Sequence, residues 1–162
     1  MLRRPAVSAA GRASLEEMIK GREIECSVLG NDEPEASLPG EVITRHEFYS
    51  YTAKYIDEQG AELVYPVKLP AKKIKEIQEL AIKAFQALEC SGMARVDMFL
   101  QFDGKLVLNE INTLPGFTKI SMYPKLWEVC GLTYSKLLNR LIELAMERRK
   151  EKEGLKRSYE VE

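Results

Sequence analysis

Two apolar-rich runs, Ala94 to Phe102 and Lys105 to Thr113, meet at Asp103-Gly104, and no other feature restricts the fold as tightly. An Asp-Gly pair between such runs signals a hairpin, because a two-residue turn needs backbone conformations that these residues adopt at little cost. With Asp103 and Gly104 central in the turn, Phe102 pairs with Lys105, Asp97 with Glu110 and Arg95 with Asn112. The side-chain period of two then puts Arg95, Asp97, Glu110 and Asn112 on one face. Val96, Met98, Leu100, Val107 and Ile111 fall on the other. One face is free to enter a core while its reverse carries chemistry.

Two carboxylates directly opposed across a ribbon, with Cβ atoms roughly 5 Å apart, repel unless positive charge lies between them. A divalent cation would supply it. Asp97, Glu110 and the amide of Asn112 make an all-oxygen set that suits Mg²⁺ or Mn²⁺ and argues against zinc, especially as His46 is the only histidine. Mg²⁺ keeps positions open for phosphate oxygens, which points to a nucleotide. The bland alternative is that both acids are solvated residues on the wet side of a hairpin, with Arg95 a surface counter-ion. Against it stands the loop that follows, INTLPGFTKIS, whose amides and hydroxyls are able to hold an anion.

The rest of the chain reads as a frame around this ribbon. Ile24, Cys26 and Val28 alternate with Glu25 and Ser27 as a strand with one wet face would, and Val42-Ile43 predicts another short strand. After Pro70, Ile74, Ile77, Ala81, Phe85 and Leu88 share one stripe of an amphipathic helix that ends near Gly92. Leu137, Leu138, Leu141, Ile142 and Ala145 predict a last helix. Between these, EFYSYTAKYIDEQG fits neither period well and reads as a loop in preference to a strand. Residues 1–14 read as a disordered leader, and 148–162, almost wholly charged or polar, as a frayed tail.

With 24 basic and 25 acidic residues, the chain has no broad positive field for nucleic acid or an anionic membrane, so any anion must be bound locally. Its length of 162 residues suits one domain. Three scattered cysteines give neither a metal spacing nor a disulfide framework. Nothing resembles a signal peptide or a membrane span, so the expected location is cytoplasmic.

The segment ARVDMFLQFDGKLVLNEINTLPGFTKISMYPKLWEVCGLTYSKLL resembles the signature region of D-alanine–D-alanine ligases of the ATP-grasp superfamily. The resemblance extends back to EEMIKGREIECSVLGN and covers most of residues 15–147. It implies an α+β fold, the carboxy-terminal ATP-grasp subdomain, with a mainly antiparallel sheet flanked by helices and truncated relative to the family.

It also implies roles. Asp97, Glu110 and Asn112 would hold two Mg²⁺ (or Mn²⁺) ions bridging the β- and γ-phosphates of ATP. Arg95 would lie beside the transferred phosphoryl group. Gly116 would contact the intermediate through its backbone, and Ser121 with the Met122 amide would hold the carboxylate of the second D-alanine. Lys54 would reach ATP phosphates, with Tyr55 closing the site against water. Glu23 would bond the ribose hydroxyls, and Glu16 to Ile19 would form the hinge that reads adenine.

The implied product is D-alanyl-D-alanine, a peptidoglycan precursor, and the intact family member is allowed a homodimer. The family's amino-terminal domain and its Gly- and Ser-rich phosphate loop are not recognisable here, so the isolated chain is expected to have little ligase activity. Two further readings stay open: another ATP-grasp carboxylate-amine ligase, or a non-catalytic nucleotide-binding remnant.

Overall fold

The computed structural model describes residues 6–7, 13–14, 18–44, 61–118 and 120–154. Its strands are β1 (Ala6–Val7), β2 (Ala13–Ser14), β3 (Arg22–Gly30), β4 (Glu35–Ala36), β5 (Gly40–Thr44), β6 (Ala61–Val64), β7 (Gly92–Leu100) and β8 (Leu106–Asn112). Its helices are α1 (Ala71–Ala87), α2 (Met122–Val129) and α3 (Tyr134–Gly154). Among the described residues six strands form one sheet, in the order β6-β5-β3-β7-β8 with β4 on the β3 edge that β5 occupies further along. Every pairing is antiparallel.

Alternation along β3 and β7 explains the layering. Ile24, Cys26, Val28, Ala94, Val96 and Met98 face α1 and close a core with its Ile77, Ala81, Ala84 and Phe85. The helix opens at Pro70, whose carbonyl accepts Lys73 N–H and Ile74 N–H at 2.8 and 3.1 Å. It closes with Cys90 N–H on Phe85 O and Glu89 N–H on Gln86 O, Glu89 turning left-handed at φ 51°. That cap puts Leu88 at the surface, 64% exposed, and removes it from the predicted stripe.

The opposite face of the sheet meets α2 and α3. Val42 packs on Met122 and Leu126, while Leu29 joins Tyr123, Trp127, Leu137 and Leu144. In α3 the buried line runs through Leu137 and Leu144, so Leu138 and Ile142, expected inside, are exposed.

The hairpin differs from its expected form in two ways that cancel. The turn is one residue longer: Gln101 N–H bonds Lys105 O and Gly104 N–H bonds Gln101 O, both at 2.9 Å, with Gly104 left-handed at φ 87°. Leu100 therefore pairs with Leu106, and Met98 with Leu108. A bulge between Asp97 and Met98 then absorbs Asn109, and beyond it Asp97 meets Glu110 and Arg95 meets Asn112, as expected. Val107, expected on the core face, lies opposite Phe99 on the other one because it sits on the turn side of the bulge.

Near both ends the described residues include regular structure. Ala6–Val7 pairs with Ala13–Ser14, a ladder too short to leave a periodic signature in a stretch expected to be disordered. Within the tail expected to fray, α3 runs to Gly154 with Arg149 and Glu153 paired one turn apart at 2.7 Å, and residues 155–162 lie outside the described residues. Among the described residues no helix is long and apolar enough to cross a membrane.

Burial pushes the Cys26 thiol up to about 12, outweighing the opposing hydrogen bond from the Ser37 side chain, whereas Cys130 is exposed. A thiol-exchange reagent at neutral pH is therefore expected to label Cys130 in the native chain and Cys26 only after denaturant is added. Because the Cys26 proton is held more tightly folded than unfolded, its contribution to stability is present below the ordinary value of 9.0 and fades as pH rises toward about 12. Labelling of Cys26 as fast as Cys130 would contradict this burial.

Candidate active site

The site face of the sheet is built from β3, β7 and β8. Its centre is Arg95, whose Nε and Nη2 donate to Asp97 Oδ1 and Oδ2, both at 2.7 Å, in a two-point pair. Nε also lies 3.3 Å from Glu25 Oε2. Asp97 is 2% exposed and Glu25 3%, so this is a buried cluster, while Glu110 is open to solvent. The reading of both acids as solvated therefore fails for Asp97 and holds only for Glu110. The positive charge assigned from sequence to a cation is supplied here, in the first place, by Arg95.

Burial works against the charged guanidinium. The Asp97 hydrogen bonds and the fields of Glu25, Asp97 and Glu110 together outweigh it and hold the Arg95 pKa above the ordinary arginine value. Arg95 thus carries a permanent charge.

Asn112, paired with Arg95 across the ribbon, accepts Leu114 N–H on Oδ1 at 3.1 Å. Past it the chain folds back onto the start of α2. Thr118 N–H donates to Ser121 Oγ at 3.0 Å, the two hydroxyls lie 2.9 Å apart, and Ser121 N–H bonds Thr118 O at 3.0 Å. Gly116 approaches the same hydroxyl so closely that an added Cβ would sit 3.0 Å from it. Gly116 and Ser121 are thereby brought together.

Met122 begins α2 and is buried, its Sδ filling the space a side chain at Gly40 would need. The next residue anchors the helix: Tyr123 Oη donates to Val28 O at 3.0 Å, and Tyr123 O accepts Ser27 Oγ at 3.4 Å. Since Ser27 pairs with Arg95, the start of α2 lies at the Arg95 end of the cluster.

Glu23 stands on the same face two residues before Glu25, between Val42 and Phe99. Ile19 is half-buried just ahead of β3. Glu16, Lys54 and Tyr55 lie outside the described residues. The functional candidate that sequence reasoning missed is Glu25. Its side of the strand was legible, but the face expected to be wet is buried, with Glu25 3% and Ser27 0% exposed, and its position opposite Asp97 depends on the β3–β7 register between distant parts of the chain.

The chemistry of the donors fits a hard cation. Asp97, Glu110 and Asn112 offer carboxylate and amide oxygens from one face of a rigid ribbon, and each Asp97 oxygen keeps a second lone pair beyond its bond to Arg95.

The antiparallel sheet with helices on both faces matches the fold of the carboxy-terminal part of ATP-grasp ligases. The chain belongs to the family described as D-ala D-ala ligase C-terminus, whose model matches residues 4–143. It is 59% identical over 144 residues to the D-alanine–D-alanine ligase of Oceanobacillus iheyensis, covering 89% of this chain and 39% of that protein. Its fold is similar to the D-alanine–D-alanine ligase structure from Coxiella burnetii, with TM-score 0.76, 49% identity and coverage of 88% of this chain and 37% of that one. The ATP complex of the Bacillus anthracis D-alanine–D-alanine ligase matches with TM-score 0.70 and 36% identity over 86% of this chain and 44% of that one. The chain thus spans about two fifths of the length of the curated relatives it matches.

Proposed function

We infer that the chain forms the ATP- and Mg²⁺-holding part of a D-alanine–D-alanine ligase, working in the cytoplasm on ATP and D-alanine. The observation that carries this reading is the acid pair. Asp97 is fixed beneath Arg95 and faces Glu110, with Asn112 alongside, in a segment matched by the ligase family. The B. anthracis relative was captured in complex with ATP.

Asp97, Glu110 and Asn112 would hold Mg²⁺ or Mn²⁺, as one ion or two, with phosphate oxygens and water completing each shell. Such an ion would neutralise charge on a triphosphate as its terminal phosphoryl group leaves. The first D-alanine carboxylate attacks the γ-phosphate, the bond to the β,γ-bridging oxygen breaks, and ADP leaves an acylphosphate behind. The second D-alanine amine then attacks that carbonyl, and phosphate departs. Arg95, held at two points and always charged, favours the negative charge that develops on the transferring group. The backbone of Gly116 contacts the tetrahedral intermediate, and Ser121 with the Met122 N–H binds the acceptor carboxylate. Glu23 takes the ribose hydroxyls and the Glu16–Ile19 segment the adenine, while Lys54 and Tyr55 cover the phosphates. These side chains mainly place reactants and neutralise charge.

Calorimetric titration of the chain with ATP tests the reading. Heat of binding is expected with Mg²⁺ present and not without it, and Asp97→Asn or Glu110→Gln is expected to weaken binding at least about tenfold. Binding that ignores both Mg²⁺ and these substitutions overturns it.

A further inference from the structure

We propose that Glu25 is a positioning residue of this site, the second acceptor that takes the Arg95 Nε–H when the Asp97 oxygens turn to a divalent cation. The inference rests on the reading of Asp97 as a cation ligand and adds a residue to which the family resemblance assigned no role.

The register places Glu25 directly across from Asp97 on one side and from Gly40 on the other. Gly40 has no side chain, and Met122 and Leu126 fill its place. Glu25 is thus a buried acid, 3% exposed, with apolar cover on one flank and Arg95 on the other.

The same Nε–H faces two carboxylates, 2.7 Å from Asp97 Oδ1 and 3.3 Å from Glu25 Oε2. Nη2 holds the remaining Asp97 oxygen at 2.7 Å. Each Asp97 oxygen therefore already accepts one guanidinium N–H and has only its other lone pair to offer a cation. A dication on Asp97 would stand within a few ångströms of a permanent guanidinium charge, and two like charges that close inside a poorly solvated cluster repel strongly. The guanidinium must give ground, yet a buried charge released without a partner is costly.

Glu25 removes this conflict. A small torsional change carries Nε from Asp97 to Glu25 with the charge paired throughout, and releases Nη2 toward the solvent-facing side where Glu110 lies. Arg95 thereby has one resting position on Asp97 and one working position on Glu25. A carboxylate that served the fold alone would have no reason to change its share of the Nε–H when a cation arrives.

The test uses the whole chain and Glu25→Gln, which keeps shape and removes charge. Mn²⁺ affinity is measured by calorimetry with ATP present, and the Arg95 Nε–H cross-peak is followed by NMR as Mg²⁺ and ATP are added. Glu25→Gln is expected to bind Mn²⁺ about 10- to 100-fold more weakly than wild type. The Arg95 cross-peak is expected to move in the wild-type chain and to stay in place in the variant. Equal Mn²⁺ affinity, or the same cross-peak displacement in both proteins, overturns the role of Glu25 and leaves the cation reading standing. A wild-type chain that binds no Mn²⁺ removes both. Should the variant fail to fold, the wild-type cross-peak decides alone, and one that stays put overturns the proposal.

Discussion

Arg95→Met is expected to destabilise the chain by about 3–5 kcal/mol, the range for removing one partner of a buried ion pair. Methionine fills most of the space that the guanidinium stem occupies, so a cavity contributes little. The loss is electrostatic: Asp97 and Glu25, 2% and 3% exposed, keep their place in the interior without the cation that lies 2.7 and 3.3 Å from them. A urea titration reads the result as a lower midpoint with an unchanged slope. The same replacement at Arg149, whose side chain is 80% exposed in its pair with Glu153, is expected to leave the midpoint in place. Equal effects at the two positions would mean that the cluster under α2 is no more demanding than a surface pair.

Phe85→Ala is expected to cost about 3–5 kcal/mol, or about 6–20 °C in melting temperature for a chain of this size. Phe85 is fully buried between α1 and the sheet, among Ile77, Ala81 and the inward residues of β3 and β7. Its helix has no side-chain bond at its N-cap, no acid in its first turn and no base in its last. Such a helix depends on its docked face for most of its stability. A thermal melt followed by circular dichroism checks this; a drop of only a degree or two would show that α1 is held by something other than its apolar stripe.

What was legible in the sequence followed the physical range of each signal. The alternation of Ile24, Cys26 and Val28 and the stripe through Ile77, Ala81 and Phe85 are local, and both gave the correct element and the correct inner face. The acid-pair register was also legible, though two departures had to cancel, a longer turn and the bulge at Asn109. Helix α2 went unseen. It spans only Met122–Val129, carries Pro124 in its first turn where proline is tolerated, and is fixed by Tyr123 contacting β3 far away in sequence. Leu138 and Ile142 were assigned inward because apolar character alone does not tell which side of α3 meets Trp127 and Leu29. Within the site, residue types were readable, but the approach of Glu25 to Arg95 was not, since strand pairing between distant segments is set by the whole sheet. Lys54, Tyr55 and Glu16 lie outside the described residues.

The irregular step at Asn109 has a bearing on how this ribbon can change over time. All of the register slack between loop and acids is taken up at that one point, on the loop side of Asp97 and Glu110. An alteration at Phe102–Gly104 therefore has somewhere to be absorbed before it reaches them. The tip is left open to drift in length and composition, while the far end keeps its alignment.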